Sequence, residues 1–478
     1  MLFRETILSY LKIITTKYVS IIVLLACCWQ LSDNTFQLRR WEEHKIIQTD
    51  ALGYYVYLPT AFIYDNPWLV NLEKTPTDSL AYSSMLYAVS DTYEKTGKKY
   101  CKMNIGMAIT FLPAFSIAHW YTKNYSSLPA DGYSMHYQKA IALHTLFVGF
   151  IGLFFIILVL KHLKIKDWII AISLIVLVYG TNWRYYAIYE SGMSHMTSFT
   201  CISLFLYVSI RWFDNESYGK AVALGLLLGI ITLIRPTNFL IVLFPILYQV
   251  TTITQLQDRV FYFIKKYAYL LVIIACFSVV IFLQMYHWKH TLGSWVVNGY
   301  GDKIGAEPFF WNEPKIMNVL FSYRKGWLLY TPVMLYAIGG MFVIWKHYRE
   351  YFWSISIFMV LNTYVISSWW CWWYGGSFGM RPFIDSYALL ILPLAAALQA
   401  IIQMEKYTYI RNRLLETVVF FVFLCHYQMM QYTICHVHWD SMTKEAYWAV
   451  FLNNTPPENY QYMLQAPDYE ASKVGTNR

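Results

Sequence analysis

The chain has 478 residues, of which 57% are hydrophobic and only 14% charged, against about a quarter charged in an ordinary soluble domain. That balance excludes a water-soluble globular enzyme and points to an integral membrane protein. The net charge of +9 is scattered over many loops rather than gathered on one arm or helix, which argues against a nucleic-acid partner.

A bilayer core of roughly 30 Å takes about 20 apolar residues per helix, and runs of that length favour helices over barrel strands. Read in chain order, the sequence predicts spans at 14–32, 139–160, 167–183, 193–212, 219–234, 237–251, 267–286, 328–345, 352–369, 385–403 and 416–434. The expectation is an all-α polytopic membrane protein with about eleven transmembrane helices. CCWQLSDN, residues 27–34, is a poor cleavage site for a signal peptide, so the first apolar segment reads as a retained helix.

One further apolar piece, 103–121, is placed by the positive-inside rule. Left on the outer surface as an interfacial or re-entrant helix, it puts six cation clusters on the cytoplasmic side. These are Arg4/Lys12, Lys161/Lys164/Lys166, Arg211/Lys220, Arg259/Lys265/Lys266, Lys346/Arg349 and Lys406/Arg411/Arg413. The N-terminus is then cytoplasmic and the C-terminus outside. The membrane domain is 1–434, with a long first outer loop at 33–138 carrying surface helices, a second at 287–327, and a short outer tail at 435–478. That tail is too short for a separate catalytic domain of ordinary size.

Chemistry therefore belongs on the outer face. Asp50 opens DALGYYVYLPTAFIY, which reads as a short amphipathic helix bearing Tyr54 and Tyr55. A carboxylate there is either an N-cap or a functional group with cationic partners. Partners stand at other outer helix ends. YGTNWRYYAIYESGMSH holds Arg184, Glu190 and His195, and LIRPTN breaks a long apolar run at Arg235. YRKG supplies Arg324 and Lys325, and WWCWWYGGSFGMRPF supplies Trp373, Tyr374 and, after its glycines, Arg381. Glycines let backbone approach a ligand, and an arginine beside them can pair with phosphate. For Trp369 and Trp370 an interfacial aromatic belt is the favoured reading. CHVHWD, 435–440, is a weak metal candidate, and no nucleotide, dinucleotide or hydrolase motif is present.

The order of an outer-loop Asp after the first span, surface helices, an RP break and a WWYGGSFGMR loop resembles the GT-C superfamily of polytopic glycosyltransferases. The nearest likeness is to its protein O-mannosyltransferase and aminoarabinose transferase branch. The resemblance implies transfer, with inversion, from a polyprenyl-phosphate sugar to a glycan, lipid or protein acceptor on the outer face of a bacterial inner membrane. It places the family's first-loop acid on Asp50, as general base, and its second acid on Glu190. Donor phosphate would be met by Arg381 and Arg235, then Arg324 and Lys325, with Tyr54, Tyr55, His195, Trp373 and Tyr374 lining the substrate. No cofactor is certain. A divalent metal, if there is one, would fall to Asp50 and Glu190. Two departures stand out: Ala51 follows Asp50 where many members carry a second acid, and WWYGG lacks the Asp of the oligosaccharyltransferase signature. A transporter or flippase of lipid-linked glycans is the alternative, disfavoured because no internal repeat is visible.

Overall fold

The computed structural model describes residues 18–70, 72 and 80–476. Arg4, Lys12 and the start of the first predicted span lie outside the described residues. The principal helices are α1 Val19–Leu38, α2 Gly106–Tyr125, α3 Met135–His162, α4 Asp167–Gly180, α5 His195–Asp214 and α6 Tyr218–Ile234. They continue as α7 Tyr267–Leu292, α8 Met334–His347, α9 Arg349–Ser368, α10 Tyr387–Ile402 and α11 Thr408–Thr433. Among the described residues, six helices are long and apolar enough to cross a membrane: α1, α3, α5, α7, α9 and the segment Glu405–Thr433. The predicted spans at 167–183, 219–234 and 385–403 fold as the shorter apolar helices α4, α6 and α10.

Proline accounts for two of the differences. Pro236 ends α6 and opens a 3₁₀ stretch, Pro236–Val242, which runs into the short helix Leu243–Leu247 where a continuous span at 237–251 was expected. A 3₁₀ turn rises about 2 Å per residue against 1.5 Å in an α-helix, so few residues cover much depth. Pro332 separates Trp327–Tyr330 from α8, shortening the span expected at 328–345.

One end of the bundle gathers the remaining cation clusters. Lys166 N donates to Gln399 Oε1 at 2.9 Å, and Gln399 Nε2 donates to the Tyr348 hydroxyl at 3.1 Å. Gln249 N donates to the Glu350 carbonyl, Arg259 Nη2 to the Tyr248 carbonyl, and Tyr262 to Glu216. These bonds tie the turns that carry Lys164, Lys220, Lys266, Lys346 and Lys406 into one surface.

The opposite end carries the two long segments expected outside, 33–138 and 287–327. Strands Asp91–Thr92 and Lys99–Tyr100 pair antiparallel, and Lys303 of the second outer segment bridges to Tyr93 beside them. Lys303 Nζ sits 2.6 Å from Asp91 Oδ1 and 2.5 Å from Glu307 Oε1, which also takes Lys102 Nζ at 2.8 Å. Burial works against the Glu307 charge, but the two lysines outweigh it and hold its carboxyl below the usual range. The stretch from Ala51 to Thr60 is buried throughout, as two short helices, Asp50–Tyr55 and Tyr57–Phe62. It is therefore a core element and not the amphipathic surface helix its tyrosines suggest. Their hydroxyls explain why: Tyr55 donates to the Gly132 carbonyl at 2.6 Å and Tyr57 to that of Met103.

Helices α8 and α10 pack at backbone distance. A Cβ on Gly340 would lie 2.0 Å from the Pro393 carbonyl oxygen, whereas one on neighbouring Gly339 would meet nothing within 4 Å. Gly340→Ala should therefore destabilise the protein by about 1–3 kcal/mol, and Gly339→Ala should leave its melting temperature at or slightly above that of the parent. Thermal unfolding of the two variants in detergent checks the contrast.

Candidate functional site

Below the outer segments lies a cavity of about 560 Å³. Ile281, Gln284 and Trp288 of α7 form one wall and Asn362, Val365 and Ile366 of α9 another, while Lys102, Met103 and Tyr300 come from the two outer segments. The rest is supplied by chain breaks: Arg235 and Asn238 after α6, His195 at the start of α5, and Trp369, Trp370, Tyr374 and Arg381 after α9. Hydrophobic helix walls thus meet a ring of polar groups at the end of the bundle opposite the cation clusters.

Asp50 and Arg381 face each other in this cavity. Asp50 is the first residue of its helix, entered through Thr49 at φ 49°, a left-handed conformation that a β-branched residue rarely takes. Arg381 opens a 3₁₀ turn, Arg381–Ile384, after a loop that reverses at Tyr374 (φ 56°), Gly375 (φ 64°) and Gly379 (φ 59°). Its Nη2 donates to Asp50 Oδ2 at 3.0 Å, with side chains 16% and 34% exposed. A guanidinium has five donors, so this contact leaves Arg381 able to hold a second anion.

A second charged cluster adjoins the first. Asp385, 2% exposed, accepts from Asn238 Nδ2 at 2.8 Å and has Arg235 Nε 3.5 Å from the same oxygen. Its other oxygen is 2.9 Å from His195 Nδ1, which in turn is 3.2 Å from Arg235 Nη1. Nδ1 has one proton to give, and the carboxylate is the acceptor that can take it; the Nε2 of His195 is buried without a partner. Asp385 therefore orients both His195 and Arg235. Sequence reading passed over it because it begins the apolar run 385–403, although a carboxylate at the edge of such a run is itself a signal. Asn238, Lys102 and Glu307, which also line the cavity, were missed as well.

The structure brings Asp50, Tyr54, His195, Arg235, Tyr374 and Arg381 to one cavity, together with Trp369 and Trp370, for which the sequence favoured a membrane belt. Other expected residues lie elsewhere. Glu190 is half-buried and does not line the cavity, accepting from the Tyr185 hydroxyl at 3.3 Å. Burial raises its carboxyl pKa, with Arg381 opposing. Tyr55 is turned to Gly132, and Trp373 points its Nε1 at Tyr469 of the tail, 3.4 Å away. Arg324 donates to the carbonyls of Asp440 (2.9 Å) and Gln465 (3.1 Å), and Lys325 to those of Ser377 and Trp439. Both cations, expected at a donor phosphate, instead hold the tail, and Lys325 fastens it to the loop that presents Arg381.

Burial pushes the Lys325 amine down to about 7, with Asp440 and Glu190 acting the other way. An unfolded lysine titrates near 10.4, so between those values the unfolded chain holds the extra proton, and this group's contribution makes stability rise with pH. Lys325→Met should flatten that part of the profile. Melting curves of both proteins from about pH 6 to about pH 10 check it.

The donor set does not suit a divalent cation. Among the described residues no group of three or more His, Cys, Asp or Glu side chains converges, and the Asp50 carboxylate already faces a guanidinium. In CHVHWD, His438 Nδ1 is 3.3 Å from the backbone nitrogen of Asp440 and 3.1 Å from that of Ser441, so it holds a turn.

No family model matches the chain, and no curated protein matches it. Among solved structures six chains match. One of them is the apo form of the Archaeoglobus fulgidus oligosaccharyltransferase, with a TM-score of 0.48 and 11% identity over 93% of this chain. The match spans 59% of that protein's length.

Proposed function

We propose that the protein is a membrane glycosyltransferase that takes a sugar from a lipid-linked phosphate donor and passes it, with inversion, to an acceptor hydroxyl outside the cytoplasm. One observation carries this reading: a carboxylate and two arginines, Asp50, Arg381 and Arg235, share a cavity whose walls are the apolar helices α7 and α9. The apolar walls suit a prenyl chain, and the cations suit the phosphate that joins it to the sugar.

In this reaction Asp50 accepts the proton of the acceptor hydroxyl as its oxygen attacks the anomeric carbon. The bond from that carbon to the phosphate oxygen breaks on the opposite face, and the leaving lipid phosphate gains one negative charge. Arg381 and Arg235 are placed to meet that charge in a site poor in water. Asp385 holds Arg235 and His195 in position without touching substrate. Tyr54, Tyr374 and the tryptophans after α9 offer faces for the sugar ring. The cationic end of the bundle would be cytoplasmic, as expected from the charge rule.

The test is a comparison of cells with and without the gene, reading both their lipid-linked sugars and their finished glycans. An accumulated polyprenyl-phosphate sugar would identify the donor, and the missing product would identify the acceptor. Unchanged pools of both would refute the assignment.

A further inference from the structure

A second cavity, about 360 Å³ in volume, lies on the flank of the bundle toward its cationic end, between α8, α10 and α11. It is apolar. Tyr336, Gly339 and Val343 line it from α8, Ala400 from α10, and Leu414 and Phe421 from α11. The one hydroxyl among these is spent, since Tyr336 donates to the Leu414 carbonyl at 2.8 Å. Gly339 is exposed, with empty space where its Cβ would be.

Helical spacing sets what stands at the mouth. On α8 the lining positions 336, 339 and 343 are followed at the next step by Lys346, and on α11 the positions 421 and 414 lead back to Arg411. Both walls thus end in a cation on the lining stripe. They end on the same side, because Tyr336 and Phe421 meet at the far end with ring centroids 6.3 Å apart. Neither Lys346 nor Arg411 is in an ion pair among the described residues, whereas Arg413 is held by Glu416 at 2.7 Å. Glu405 stands on the turn before α11 and leaves the cations in excess. The ten residues from Arg411 to Phe421 span about 15 Å, which is half of a roughly 30 Å bilayer core.

We propose that this groove is a binding site for one anionic glycerophospholipid of the surrounding bilayer, its phosphate between Lys346 and Arg411 and one acyl chain lying over Gly339 toward Phe421. The length matches one leaflet, and the unpaired cations distinguish an anionic headgroup from a zwitterionic one. The inference rests on the chain spanning a membrane and not on the transferase reading, since no residue of the groove touches the cavity of Asp50.

The probe is phosphatidylglycerol, compared with phosphatidylcholine, added to the purified full-length protein after delipidation in non-ionic detergent and counted by native mass spectrometry. One phosphatidylglycerol per chain should bind in preference to phosphatidylcholine. Lys346→Gln with Arg411→Gln should weaken it about 25-fold, roughly fivefold for each cation. Gly339→Leu should abolish it by filling the groove, with the melting temperature unchanged. Equal retention of phosphatidylcholine, or phosphatidylglycerol binding that survives both variants, would overturn the proposal. So would a dimer of this chain that is lost in Gly339→Leu, because the groove would then be covered by a second copy.

Discussion

Asp50→Asn is expected to lower sugar transfer by about 10²–10⁴-fold, the contribution of a positioned general base, while the protein still inserts and melts like the parent. The amide keeps the shape and an acceptor oxygen for Arg381, so no buried donor is stranded. Loss of rate without loss of fold is therefore the signature to look for in membranes supplied with lipid-linked donor. Full turnover in that variant would place the base elsewhere.

Arg381→Ala carries the second large effect. Removing one preorganised donor from a developing charge costs about 10²–10³ in turnover, and the donor's apparent KM should rise as well. The same change strips Asp50 of its partner, so the two substitutions act on one unit. Asp50→Asn/Arg381→Ala should be little slower than the worse single variant. Additive losses would separate the two residues, and an unchanged kcat and KM in Arg381→Ala would remove it from the phosphate site.

Much of this architecture was legible because hydropathy is a local property. A helix occurs near each predicted segment, with differences at Pro236 and Pro332, where the backbone cannot continue an α-helix. Side-chain destinations were less legible, because they depend on partners far away in the chain. Lys325 and Arg324 look like free cations in YRKG until the carbonyls of Trp439, Asp440 and Gln465 arrive beside them. The tyrosines of DALGYYVYLP look amphipathic until Gly132 and Met103 accept their hydroxyls. Asp385 was hidden by averaging over an apolar run, and only its contacts with Asn238, His195 and Arg235 show its role.

The separation of Asp50 from Arg381 has a consequence for biosynthesis. Their ion pair joins residues 331 positions apart, so at 5–20 residues per second the ribosome adds the arginine roughly 15–65 s after the aspartate. The tail that steadies the Arg381 loop follows later still. Through that interval Asp50 waits without its cation and the site between the apolar walls is unfinished. Catalytic competence would come as one of the final events of assembly, and a truncated product would insert as a membrane protein without becoming an active transferase.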